Sequence, residues 1–260
     1  MNRRSWMQSA GYATLLGGLG GAPALAQSGR KTRLYRLDNL YFRQGEQGNR
    51  INQFLTSQMP LLQKHIPTLG VFTELIGPHI PTTVVLSGFS SFAEMEAADD
   101  RIQKDPGHRS ALEQLESGAE PPYDYADRVL LRATDFSPEI VPLKDKPKTP
   151  RIFELRTYHS PTQRQLGFVH ERFAGVEIKI FHRSGVHPIF YSDTLIGPRM
   201  PNLTYMMPFT SLAEREKAWD AFGADPEWIK ARADSIARGG QVVAETNFRI
   251  LRAAPFSPIQ

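Results

Sequence analysis

Along residues 151–253 the spacing of apolar side chains switches between two periods, and the switches mark out six elements. Arg151–Tyr158 alternates in two-residue steps and is rich in β-prone side chains, which predicts a strand ending before His159-Ser160-Pro161. From Thr162 to about His182, the apolar Leu166, Phe168, Val169, Phe173, Val176 and Ile180 recur at helical spacings, and Gly185 stops the pattern. Val186–Thr194 and Leu203–Phe209 read as two strands joined by a turn at Gly197-Pro198, with Pro208 pointing to an edge or a terminating bulge. Ser211 with Glu214 three residues on is a capping box. Asp225-Pro226-Glu227 starts another helix, because Asp caps, Pro fits the first helical position and Glu favours the positive end of the dipole. Gly239-Gly240 ends that helix and Val242–Ala253 is a last strand. The order is βαββαβ, the ferredoxin-like plan.

The same plan stands upstream as an internal repeat. Leu75-Ile76-Gly77-Pro78-His79-Ile80-Pro81 returns as Leu195-Ile196-Gly197-Pro198-Arg199-Met200-Pro201, a displacement of 120 residues. Asp105-Pro106 returns as Asp225-Pro226, and Phe136-Ser137-Pro138 as Phe256-Ser257-Pro258. Near the first strands the displacement is 118, matching Arg33-Leu34-Tyr35-Arg36-Leu37 to Arg151-Ile152-Phe153-Glu154-Leu155, so the second copy is two residues longer in its first helical region. This predicts domains at 31–138 and 150–258 joined by a solvated, proline-rich linker at 139–149, with a shorter, proline-broken helix at Asn49–Ile66 in the first copy. An antiparallel sheet with both helices on one face leaves its other face bare, and two such sheets in one chain can cover each other. The expected architecture is therefore α+β: tandem ferredoxin-like (βαββαβ) domains, their four-stranded sheets packed face to face about a pseudo-twofold axis. Such a chain is a pseudo-dimer by itself, with further homo-oligomerisation left open.

At these residues a family resemblance enters. Arg151 to Tyr158, the Gly197-Pro198 hairpin, Ser211 to Arg215, Ala218-Trp219 and Asp225-Pro226-Glu227-Trp228 resemble a NIPSNAP domain of the dimeric α/β-barrel superfamily over about 151–253. The first half resembles a degenerate copy, with Asp99 opposite Trp219 and His108 opposite Trp228. The resemblance implies the fold and the tandem arrangement, and brings no catalytic residue with it.

Composition changes the picture chiefly at the N-terminus. Residues 1–26 have a basic start, a weakly apolar glycine-rich middle and a small-residue end, the three parts of an export signal. Arg3 and Arg4 resemble the twin-arginine motif, and cleavage is expected between Ala26 and Gln27, which makes the chain a bacterial periplasmic or secreted protein. No later segment reaches the length of a membrane span. The formal charge of +4 falls to +2 once Arg3 and Arg4 are set aside, and no run of like charges is left to call for nucleic acid. With 0 cysteines, disulfides, thiolate metal sites and cysteine nucleophiles are excluded.

Chemistry is harder to read. His159, His170, His182 and His187 show no metal-ligand spacing, and no nucleophile elbow, phosphate loop or dinucleotide fingerprint occurs, so neither cofactor nor metal is expected. Tyr158, His187, Tyr191, Tyr205, Trp219 and Trp228 form a candidate pocket in the aromatic-rich second copy, with domain core as the competing reading. Arg36 and Asp38 align with Glu154 and Arg156, so ion pairs between the copies are expected if the first strands meet. Two functions follow as expectations: a non-catalytic module binding a small molecule or a protein partner, or a cofactor-independent enzyme of the barrel superfamily acting on a small substrate, aromatic ones included.

Overall fold

The computed structural model describes residues 31–260; Arg3, Arg4 and the Ala26-Gln27 cleavage site lie outside the described residues. The first repeat runs β1 (Leu34–Tyr41), α1 (Gln47–His65), β2 (Thr68–Ile76), β3 (Thr82–Phe89), α2 (Phe92–Lys104), α3 (Pro106–Glu116) and β4 (Tyr125–Ala133). The second runs β5 (Ile152–His159), α4 (Gln163–Arg172), a π turn (Phe173–Glu177), α5 (Ile178–Arg183), β6 (Phe190–Ile196), β7 (Asn202–Phe209), α6 (Leu212–Ala224), α7 (Pro226–Gly239) and β8 (Glu245–Ala253). Helix starts follow the capping residues. The Ser91 and Ser211 hydroxyls accept from the N–H groups of Glu94 and Glu214, and the Asp105 and Asp225 carboxylates accept from those of His108 and Trp228.

Helix α1 departs from expectation, running unbroken for 19 residues through Pro60. A proline inside a helix costs about 3 kcal/mol. Burial of Ile51, Phe54, Leu55 and Met59 against the sheet contributes roughly 1.5–3 kcal/mol for each side chain and outweighs it. The interruption falls instead in the second repeat, where the longer segment widens into the π turn at Phe173–Glu177.

The strands close a barrel in the order β1-β3-β2-β8-β5-β7-β6-β4. Each repeat supplies a four-stranded sheet, and β2 pairs with β8 and β4 with β6, so the two sheets are hydrogen bonded at both edges as well as packed across the core. Strand β7 is paired on both sides, yet its ladder with β6 ends at Met206, so Pro208 sits where a missing N–H costs nothing. Inside the barrel, Tyr35, Phe72, Phe153, Phe190, Met206 and Leu251 belong to one buried apolar cluster. Ile140 and Ile259 join that core, each just beyond a Phe-Ser-Pro segment, so the linker is anchored at its first turn rather than solvated throughout.

Those repeated Phe-Ser-Pro segments stitch the copies together. Ser137 Oγ accepts from the Tyr191 N–H at 3.0 Å, and Ser257 Oγ accepts from the Val71 N–H at 2.9 Å. Beside them the Thr134 and Ala254 N–H groups donate to the carbonyls of Tyr191 and Val71 at 3.0 and 2.8 Å. Each serine thus satisfies a buried backbone donor of the opposite repeat.

The ion pairs expected between the copies do not form. Strands β1 and β5 stand opposite each other in the ring, and the charged side chains point outward beneath their own helices. Arg36 pairs instead with Asp38 at 3.1 Å and Asp99 at 2.6 Å, while Glu154 pairs with Arg156 and Arg215, both at 2.6 Å. The complementarity is within each repeat, with the sign inverted between them.

Candidate functional site

Each repeat has one interior that faces the barrel and one interface between the outer face of its sheet and its helices. The second repeat fills most of that interface. Tyr158, Tyr191 and Tyr205 are buried in one apolar cluster with Phe173, Phe181 and Phe222, and their rings meet mostly edge to face at centroid distances of 5.4–6.3 Å. Burial pushes the Tyr191 and Tyr205 phenols far above their ordinary range, so neither serves as an acid or base near neutral pH. Trp219 packs on this cluster and donates its indole N–H to Glu154 at 3.0 Å, while the Arg156 guanidinium lies 3.9 Å from the Trp219 ring centre. Glu154, with no exposure, accepts from three donors and acts as the hub of this packing.

The six residues predicted as a pocket therefore do not converge on one open site. Tyr158, Tyr191, Tyr205 and Trp219 belong to the packed core, as a sheet–helix interface rich in large rings requires. His187 is exposed and stacks on His182 at 5.2 Å. Trp228, with the edge of Tyr158, reaches a separate small cleft beside Arg172.

The hollow interface is in the first repeat. A cavity of about 270 Å³ lies between the outer face of β1–β3 and helices α1, α2 and α3. Leu40, Phe54, Leu62, Leu69, Val85, Ile102 and Leu112 form its apolar walls. By the repeat register, Leu40, Val85, Asp99 and His108 occupy the places of Tyr158, Tyr205, Trp219 and Trp228. The aromatic bulk that closes the second interface is absent here, and the volume it occupied is open. The loss that marks the first copy as degenerate is what hollows it.

Its polar groups are largely paired among themselves. Burial opposes the Arg36 charge, but Asp38 and Asp99 outweigh it and raise the guanidinium above its usual range. Arg128 donates to Asp38 at 2.6 Å. His108 Nδ1 lies 2.9 Å from Gln58 Oε1, and burial pushes its imidazole below the ordinary value, so it is neutral at pH 7. The cavity thus offers apolar walls, a neutral imidazole and an internally compensated charge cluster. Among the described residues no group of three or more His, Asp or Glu is placed to hold a metal ion.

One feature escaped periodicity altogether. Glu177, on the π turn, is fully buried; its Oε2 accepts from Arg172 Nε at 2.6 Å, and its Oε1 has no hydrogen-bond partner among the described residues. Burial raises its carboxyl to about 7, against the opposing pull of Arg172. The only signal in the sequence was the two-residue difference between the repeats, which marks an insertion but not its geometry.

Comparison with known proteins agrees with the duplicated architecture. A family model described as NIPSNAP matches residues 33–138 and again 153–258. A candidate monooxygenase from Fusobacterium nucleatum is similar in structure, with TM-score 0.57 and 6% identity over 85% of this chain and 92% of that one. A second candidate monooxygenase, from Lactobacillus acidophilus, gives TM-score 0.53 and 8% identity over 86% of this chain and 94% of that one. At these identities the likeness shows the barrel fold alone. A NIPSNAP family protein of unknown function from Agrobacterium tumefaciens is 20% identical, spans 44% of this chain and 97% of its own, and gives TM-score 0.38. No curated protein matches the chain. No helix among the described residues is long and apolar enough to cross a membrane.

Proposed function

We propose, given that this chain belongs to the NIPSNAP family and carries its domain twice, that the copies have diverged and that the first binds a small, uncharged, largely apolar molecule. The observation that carries this reading is the 270 Å³ cavity lined by Leu40, Phe54, Leu62, Val85, Ile102 and Leu112 where the second repeat is filled by aromatic rings. An apolar cleft with a few fixed polar groups is the usual form of a small-molecule site. The neutral His108 and the compensated Arg36–Asp38–Asp99–Arg128 cluster favour an uncharged ligand with one hydroxyl or carbonyl over an ion. We propose further that this happens outside the cytoplasm, after twin-arginine export of the precursor through Arg3 and Arg4.

The test is a thermal-shift and calorimetric titration of the protein beginning at Gln27 with 2-naphthol, a rigid bicyclic alcohol. Wild type is stabilised by mass action. His108→Trp, which restores the ring found at Trp228, fills the cavity and abolishes the shift. Stabilisation that survives in His108→Trp, or no binding by wild type at millimolar probe, refutes the reading. For the export clause, Arg3→Lys with Arg4→Lys leaves an uncleaved precursor in the cytoplasmic fraction on immunoblot.

A further inference from the structure

The second repeat has its own opening at the place equivalent to the first-repeat cavity, and its chemistry is the reverse. A cleft of about 190 Å³ lies between β5, α4, α7 and the segment leading into β8. It is bordered by Tyr158, Arg172, Trp228, Arg232, Gln241 and Thr246, and no Asp or Glu lines it. By the repeat register, Phe54 and Leu112 of the first cavity become Arg172 and Arg232 here. Two apolar walls have been exchanged for two guanidinium groups.

The two arginines are held differently, and the difference leaves charge facing the cleft. Arg172 is buried and braced from behind, with Nε on Glu177 at 2.6 Å and Nη1 on Ser235 Oγ at 3.1 Å, so its Nη2 is spared. It stacks over Trp228 at 4.8 Å from the ring centre. Arg232 is exposed and, among the described residues, its guanidinium has no ion-pair partner. Asp234, the acid nearest in sequence on α7, is engaged with Lys230 at 2.5 Å. One fixed and one free guanidinium beside the indole, whose ring already packs against Arg172 and against Phe222 at 4.3 Å, form a recognition surface for a small anion, because the guanidinium fork matches a carboxylate.

We propose that this cleft binds a small planar carboxylate, its two oxygens between Arg172 and Arg232 and its ring in the space bordered by Tyr158, Trp228 and Val242. At about 190 Å³ the space suits one ring with a short substituent rather than a larger ligand. The site is independent of the first-repeat cavity, and the two stand or fall separately.

Benzoate is the probe, with benzyl alcohol as its uncharged counterpart, titrated into the protein beginning at Gln27 by calorimetry and by fluorescence. Benzoate binds and quenches Trp228, weakens as sodium chloride is raised, and loses at least about tenfold in affinity in Arg232→Glu, a surface change that leaves the thermal midpoint of the free protein in place. Trp228→Phe removes the quench while calorimetric binding persists. His108→Trp, which fills the first cavity, leaves benzoate affinity unchanged. The proposal is overturned if Arg232→Glu binds benzoate as wild type does, if benzyl alcohol binds equally well, or if His108→Trp abolishes benzoate binding.

Discussion

Asp99 and Trp219 stand at equivalent places on the two helices that follow the hairpins, and both reach the charged pair on their own first strand. Asp99 accepts from Arg36 at 2.6 Å, whereas Trp219 donates to Glu154 at 3.0 Å and is capped by Arg156. The same junction is thus made once with a small acid and once with a large ring. The acid leaves a cavity beside it and the ring does not.

Trp219→Ala is expected to destabilise the protein by about 3 kcal/mol or more, read as the urea unfolding midpoint. The ring lost is only partly exposed, and its removal also takes a donor from the fully buried Glu154 and the stacking surface from Arg156. Asp99→Asn is expected to cost less, since Arg36 keeps Asp38 and the cavity beside it is already open.

The Phe-Ser-Pro serines join the repeats by a mechanism that alanine removes cleanly. Ser137→Ala and Ser257→Ala each leave a buried strand N–H without an acceptor, which costs about 1–3 kcal/mol. The two sites serve different seams of the barrel, so the double variant is expected to lose the sum of the singles to within about 0.5 kcal/mol. A double variant no worse than either single shows that one seam alone sets the stability.

Arg36 and Glu154 are expected to behave independently in a double-mutant cycle. They lie on opposite strands of the ring, each with partners in its own repeat. Removing one partner of a buried pair costs about 3–5 kcal/mol, so the single effects are large even though their coupling is near zero. Arg36 with Asp99 is the pair expected to couple.

Glu177 sets a pH dependence whose sign follows from its raised carboxyl. Unfolded, the group titrates near the ordinary carboxyl value of 4.5; folded, it titrates at about 7, so the native state holds the proton more tightly between the two. This contribution is therefore favourable to the fold at pH 5 and is lost as pH rises through 7. Wild type is expected to lose stability relative to Glu177→Gln between pH 5 and pH 8, measured by denaturant unfolding at both values. A constant difference between the two proteins shows that the Arg172 pairing holds Glu177 ionised throughout.

The sequence by itself determined the duplication, the βαββαβ order and most element boundaries, because these rest on local rules: period, capping residues and glycine–proline punctuation act within a few residues. Ser211 and Asp225 cap the helices they were expected to cap, and the repeat register carried the resemblance that the family model bears out. Where contacts are distant in the chain, local rules stop. Whether α1 survives Pro60 depends on a sheet formed elsewhere, and whether Arg36 meets Glu154 depends on where two strands fall in the ring. The aromatic residues of the second repeat were legible as a group, but a group of rings reads the same in sequence whether it lines a pocket or fills one. Only packing decides that, since a cavity is defined by the atoms that fail to meet across it, and here they fail to meet beside Asp99 and His108, where the chain carries the smaller side chains.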